Sequence, residues 1–181
     1  MSEEKVIELS KTKILLFILV AIGAVALGVW LLTLDADVIR SQRKYNDPLF
    51  VRIMGVALIA FFSIFGAILM KKYFDKKPGL TINSQGIVDN SSGDAVGMVL
   101  WTDVVGLKHT KISGQKMLSI EVSNPEKYIS RGNLLQKATR RANNKLVGTP
   151  VNISANSLKI NYDELVGLIG QSYIDNTGNQ L

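Results

Sequence analysis

A chain of 181 residues has room for one domain, or for a membrane anchor and one small domain. Its net charge of +6 does not point to nucleic acid, because residues 79–181 carry ten Lys/Arg against eight Asp/Glu, a net of only +2, and the remaining basicity flanks the apolar runs. The absence of cysteine excludes disulfides and thiolate zinc sites, and one histidine, His109, leaves few groups for nucleophilic or metal chemistry.

Residues 1–13 are polar and charged and read as a short tail, with Val6, Ile7 and Leu9 spaced to pair partly as a strand. Residues 14–34 then run without charge. They exceed the core of a secretory signal and lack a small-x-small cleavage site, so they are expected to form an uncleaved first transmembrane helix. Residues 35–50 read as a short loop in which Asp47-Pro48 breaks helix. The second transmembrane helix is expected over 51–72, with eighteen charge-free residues from Ile53 to Met70. Lys71, Lys72, Lys76 and Lys77 then stop the span, because an ammonium enters the bilayer only at high cost.

Small residues at four-residue spacing, Ala24/Gly28 and Ser63/Ala67, are candidates for close helix packing and for homo-oligomers through the transmembrane helices. Seven basic residues flank the terminal side (Lys5, Lys11, Lys13, Lys71, Lys72, Lys76, Lys77) against Arg40, Arg43, Lys44 and Arg52 on the loop side. The excess places both termini in the cytoplasm and the protein in the inner membrane as a multi-pass chain.

From Pro78 the hydrophobic period changes. Short strand-like runs appear at Leu80–Ile82, Ile87–Asp89, Val96–Leu100, Val104–Leu107 and Met117–Val122. Turns at Asn83–Gly86, Asn90–Asp94 and Ser113–Gln115 separate them. Asn124-Pro125 starts a helical segment over 126–146, with Gly132-Asn133 as its interruption. Gly148-Thr149-Pro150 stops it, Val151–Ile153 is a strand and Leu158–Ile160 is extended. Asn161 with Glu164 forms a capping box for a last helix with an inward face of Leu165, Leu168, Ile169 and Tyr173, and 175–181 is a polar tail. The expected fold class is α+β: a transmembrane helical hairpin, then over 78–174 a small antiparallel sheet or barrel closed by a C-terminal helix, the outline of a pleckstrin-homology (PH)-like domain.

The stretches Lys77-Pro78-Gly79-Leu80, Gly86–Ser92, Gly97–Trp101 with Asp103, Gly114-Gln115-Lys116, Asn124–Tyr128, Gly148-Thr149-Pro150 and Ile153–Leu158 are similar to a family of small bacterial membrane proteins with two helices and a PH-like cytoplasmic domain. The resemblance covers the chain from the first span to about Ile174. It implies architecture and cytoplasmic orientation and brings no catalytic residue.

Two basic clusters are candidate membrane-surface, anionic-lipid contacts. Lys71, Lys72, Lys76 and Lys77 suit headgroups, or serve only as a stop-transfer flank. Lys137, Arg140, Arg141 and Lys145 share one helix face at i, i+3, i+4 and i+8, as a second anionic-partner patch or an ordinary solvated face. No aromatic interleaves with them, which speaks against RNA. Trp101 and Asp103 suit a binding pair or plain structure, and Trp30 suits the membrane interface. GxSxG, Walker, HExxH and dinucleotide patterns are missing, so neither an enzyme nor a cofactor is expected. The expected role is a non-catalytic interaction protein of the inner membrane, whose partners are the lipid bilayer and a protein of unknown identity. The alternatives are an immunity protein that neutralises a toxin within the bilayer, or an accessory subunit of a transporter or envelope enzyme.

Overall fold

The computed structural model describes residues 4–112 and 114–178. They fall into two compact units, one spanning Thr12–Asp75, the other built from the described residues up to Lys11 together with those from Lys76 onward.

The first unit is helical. α1 spans Lys11–Thr33, the one-turn α2 Ala36–Arg40, and α3 Pro48–Phe74. α2 lies within the segment expected to be loop. Asp47 caps α3, its side chain accepting from the Leu49 N–H at 2.9 Å, and Pro48 opens the helix where a missing N–H costs nothing. α1 and α3 are both long and apolar enough to cross a membrane, and only 22% and 6% of their apolar windows are buried within the structure.

The two long helices meet backbone to backbone at Gly28 and Gly55. A Cβ on Gly28 would lie 2.8 Å from the Gly55 carbonyl oxygen, and one on Gly55 would lie 2.9 Å from that of Gly28. Gly66 faces Ala21 further along. Ser63 and Ala67, read as the packing pair of the second span, are exposed instead. The reason is angular: eleven residues return a helix to within about 20° of its starting face, so Gly55 and Gly66 share a side that Ser63 does not.

The second unit is α+β, with two small antiparallel sheets and a C-terminal helix. The first sheet has the order β1 (Lys5–Ile7), β2 (Leu80–Ile82), β3 (Gly86–Asp89) and β4 (Gly97–Leu100). The second runs β5 (Val104–Ile112), β6 (Gln115–Val122) and β7 (Val151–Ile153). Ser113, expected in the β5–β6 turn, lies outside the described residues, as do the last residues of the expected polar tail.

Lys5–Ile7 of the N-terminal tail are therefore a strand of the sheet, with Ile7 opposite Leu80 and Lys5 opposite Ile82. Leu9 adds a bridge to Leu158. The expected helix over 126–146 is two helices, α4 (Pro125–Ile129) and α5 (Leu134–Val147), separated around Gly132 at φ 79°. α6 (Tyr162–Thr177) has the expected Asn161/Glu164 capping box and extends into the segment read as tail.

Period-two alternation sends Leu80, Ile82, Leu118, Ile120, Val151 and Ile153 inward, and α6 adds Leu165 and Ile169. Trp101, in a 3₁₀ turn between the sheets, is 4% exposed; its Nε1 donates to the Asn83 carbonyl at 2.9 Å and its ring meets Tyr173 edge-on. Its role here is packing, with the polar edge satisfied.

Candidate functional site

The most unusual surface of the α+β unit is α5. Asn133 and Gln136 form a reciprocal capping box at its start, and Gly148 ends it at φ 87°, the left-handed conformation that glycine adopts without strain.

The face that α5 turns into the unit is polar. Arg140 is 2% exposed and donates only to backbone carbonyls: Nε to Asp94 at 2.7 Å, Nη2 to Ala95 at 2.5 Å, and Nη1 to Arg131 at 2.6 Å and Tyr128 at 3.3 Å. Gln136 donates to the Gly93 carbonyl at 2.9 Å, and Asn143 to the Asp94 carboxylate at 3.1 Å. Three side chains at one helix face thus hold the β3–β4 loop, Gln136 and Arg140 through its backbone carbonyls and Asn143 through the Asp94 carboxylate. Burial pushes the Arg140 pKa down, and the charges of Asp94 and Asp89 push it back up. Asp89 is itself buried, accepts from the Ser91 N–H at 2.9 Å and hydroxyl at 2.7 Å, and is raised above the usual carboxylate range chiefly by desolvation.

The outward side carries an apolar stripe. At 100° per residue, Leu135, Ala138, Ala142 and Leu146 form one stripe, with Leu134 beside its N-terminal end. Leu134, Leu135 and Leu146 are 86%, 58% and 75% exposed. Between this stripe and the buried Arg140 runs a row of bases, Lys137, Arg141 and Lys145, at i, i+4 and i+8. Arg141 and Lys145 are exposed and Lys137 is half-buried.

This arrangement corrects the sequence reading of one residue. Arg140 was grouped with Lys137, Arg141 and Lys145 as a surface contact, yet it belongs to the interior. Its guanidinium is buried and engaged with the carbonyls of Asp94, Ala95, Tyr128 and Arg131, so it is unavailable to an outside anion. The i, i+3, i+7, i+11 spacing of Leu135, Ala138, Ala142 and Leu146 is the sequence signal of this stripe.

The other lysine cluster is divided between the units. Lys71 and Lys72 belong to the last turn of α3, and Lys72 pairs with Asp75 at 3.5 Å. Lys76 and Lys77 belong to the α+β unit and are exposed.

Two further polar groups are structural. Asp103 accepts from Lys127 Nζ and the Tyr128 hydroxyl, both at 2.5 Å. Those hydrogen bonds lower its pKa, while burial first and Asp103 second push Tyr128 up to about 12. Arg131 stacks 4.4 Å over the Tyr128 ring and donates to the carbonyls of Val96 and Met98. His109 is exposed, with Nδ1 at 2.8 Å from the Tyr162 hydroxyl. β5 pairs only with β6 among the described strands, and its exposed Lys108 and Lys111 mark it as a guarded edge.

No family model, curated protein or solved structure matches the chain.

Proposed function

We propose that the protein is a non-catalytic, multi-pass component of the bacterial inner membrane, which presents a PH-like module at the cytoplasmic surface for lipid or protein interaction. One observation carries this reading: the long helices interrupt a β-hairpin. β1 ends at Ile7, α1 begins at Lys11, α3 ends at Phe74, and β2, the antiparallel neighbour of β1, begins at Leu80. Strands paired about 5 Å apart cannot lie on opposite sides of a ~30 Å hydrocarbon layer. On this reading the two spans inserted between them form a hairpin with both ends on one side.

Low burial of α1 and α3 supports lipid as their surroundings, since a soluble core helix hides its apolar surface. The connectors on either side are short, and the five residues 75–79 reach at most about 18 Å. On this reading the module is joined to the membrane through both connectors, which raises its effective concentration for any membrane-borne target. Two antiparallel sheets with a closing α6 are the layout that supports the PH-like description.

Orientation is tested by single-cysteine accessibility in the otherwise cysteine-free chain. With Asp175→Cys, a membrane-impermeant thiol reagent applied to intact spheroplasts should leave the protein unlabelled, and labelling should appear after lysis. Labelling of intact spheroplasts overturns the cytoplasmic placement.

A further inference from the structure

α5 reverses the usual arrangement of a helix on a globular unit, which hides its apolar stripe and shows its polar one. Here the polar face is spent on the carbonyls and the Asp94 carboxylate of the β3–β4 loop, and the leucines point outward. We propose that this outward face seats on an anionic lipid surface, with Leu135 and Leu146 entering the headgroup–acyl boundary and Lys137, Arg141 and Lys145 engaging the acidic headgroups.

Two observations and one general tendency select lipid as the occupant. The three bases form a row along one flank of the leucine stripe, where long side chains lay their methylenes along apolar surface and raise their charge to the headgroups. No acidic residue occurs in α5, so two copies meeting through this face would oppose like charges. Lysine is also depleted in the cores of protein interfaces, whereas basic amphipathic helices are the usual form of an interfacial membrane contact. The inference rests on the reading of α1 and α3 as spans, and it deepens that reading by naming the face and the lipid charge it takes.

The test uses the full chain in lipid nanodiscs, which expose both membrane faces and so make the outcome independent of sidedness. A polarity-sensitive fluorophore is attached to Leu135→Cys, to Leu146→Cys and, as a control on α6, to Asp175→Cys. In discs of phosphatidylcholine with phosphatidylglycerol, the α5 labels should shift to the blue and be quenched roughly twofold or more by doxyl-labelled lipid, with the α6 label unaffected. Both effects should weaken in high salt and in discs of phosphatidylcholine alone. Lys137→Glu/Arg141→Glu/Lys145→Glu should abolish them, and the salt series on the unsubstituted row gives the same decision should that variant fail to fold.

Unshifted, unquenched α5 labels overturn the proposal. So does a blue shift without quenching, which means that protein, such as a second copy, covers the face. Quenching that ignores salt and lipid charge, or that is equal at Asp175, overturns it as well. A reversed orientation would show only in the spheroplast labelling, so the two readings fail separately.

Discussion

α5 and α6 are two amphipathic helices of the same unit, of similar length, each opened by an Asn capping box and closed by a left-handed glycine. They use their amphipathicity in opposite directions. α6 turns Leu165, Ile169 and Tyr173 into the core and leaves its charges outside. α5 turns Gln136, Arg140 and Asn143 inward and leaves its leucines outside. The difference lies in what each helix packs against. Side chains of a sheet meet α6, whereas the irregular β3–β4 loop under α5 offers backbone carbonyls that burial would otherwise leave unsatisfied. A helix that supplies donors to a loop has its apolar stripe left over for another surface.

The largest break in this comparison should come from Arg140→Met. Several loop carbonyls would lose their donors in a dry site, at about 1–3 kcal/mol each, for a total loss of about 3–5 kcal/mol. Trp101 fluorescence in a Trp30→Phe background reports unfolding of this unit during denaturant titration. Arg140→Lys should recover only part of the loss, because one ammonium cannot reproduce the guanidinium fork. Equal stability of Arg140→Met and the parent would mean that the loop does not depend on the Arg140 guanidinium.

Ile169→Ala in α6 should cost about 2–4 kcal/mol by the same measurement, as a buried large-to-small change. The two helices would then be comparably important for stability, one through packing and the other through hydrogen bonds.

Asp103→Asn probes the contacts of α4, next to α5, and should cost about 1 kcal/mol near neutral pH, discounted for partial exposure. The folded pKa of Asp103 is depressed, first by the hydrogen bond from Lys127 and then by that from Tyr128. Its contribution is therefore present above the ordinary carboxylate pKa and is lost as pH falls through the lower folded value, so parent and variant should converge in acid. Asp89 has the opposite sign. Burial raises its folded pKa, so the stability it contributes is present below the ordinary value and is lost as pH rises through the raised one. Asp89→Asn should flatten that slope.

The smallest effect sharpens the contrast most. Leu135→Ser and Leu146→Ser should change stability in detergent by no more than about 0.5 kcal/mol, because neither side chain is buried in this unit. Leu165→Ser in α6 should abolish cooperative unfolding or lower the midpoint steeply. A large loss from the α5 leucines would show that they already have an internal partner.

Local signals carried much of the architecture. Charge-free length announced α1 and α3, and Asn161 with Glu164 marked the start of α6, whereas Asp47-Pro48, read as a helix break in the loop before a span over 51–72, caps and opens α3 itself. These features are readable because caps and apolar runs act over a few neighbouring residues. The role of Arg140 was not readable, because its acceptors at 94, 95, 128 and 131 come from elements that only folding brings beside α5. Gly28 was readable as a packing residue but its partner Gly55 was not, for a related reason: several small residues fit the spacing, and the facing helix selects among them.

By itself, the sequence determined that two apolar helices precede an α+β unit, and where most elements begin and end, since those follow from period, composition and capping chemistry. Only the tertiary structure decided that β1 joins β2 across the inserted helices and that α5 faces the unit with its polar side. Both are choices of partner between segments far apart in the chain. Such choices depend on which carbonyls and strand edges remain to be satisfied once the other elements have packed.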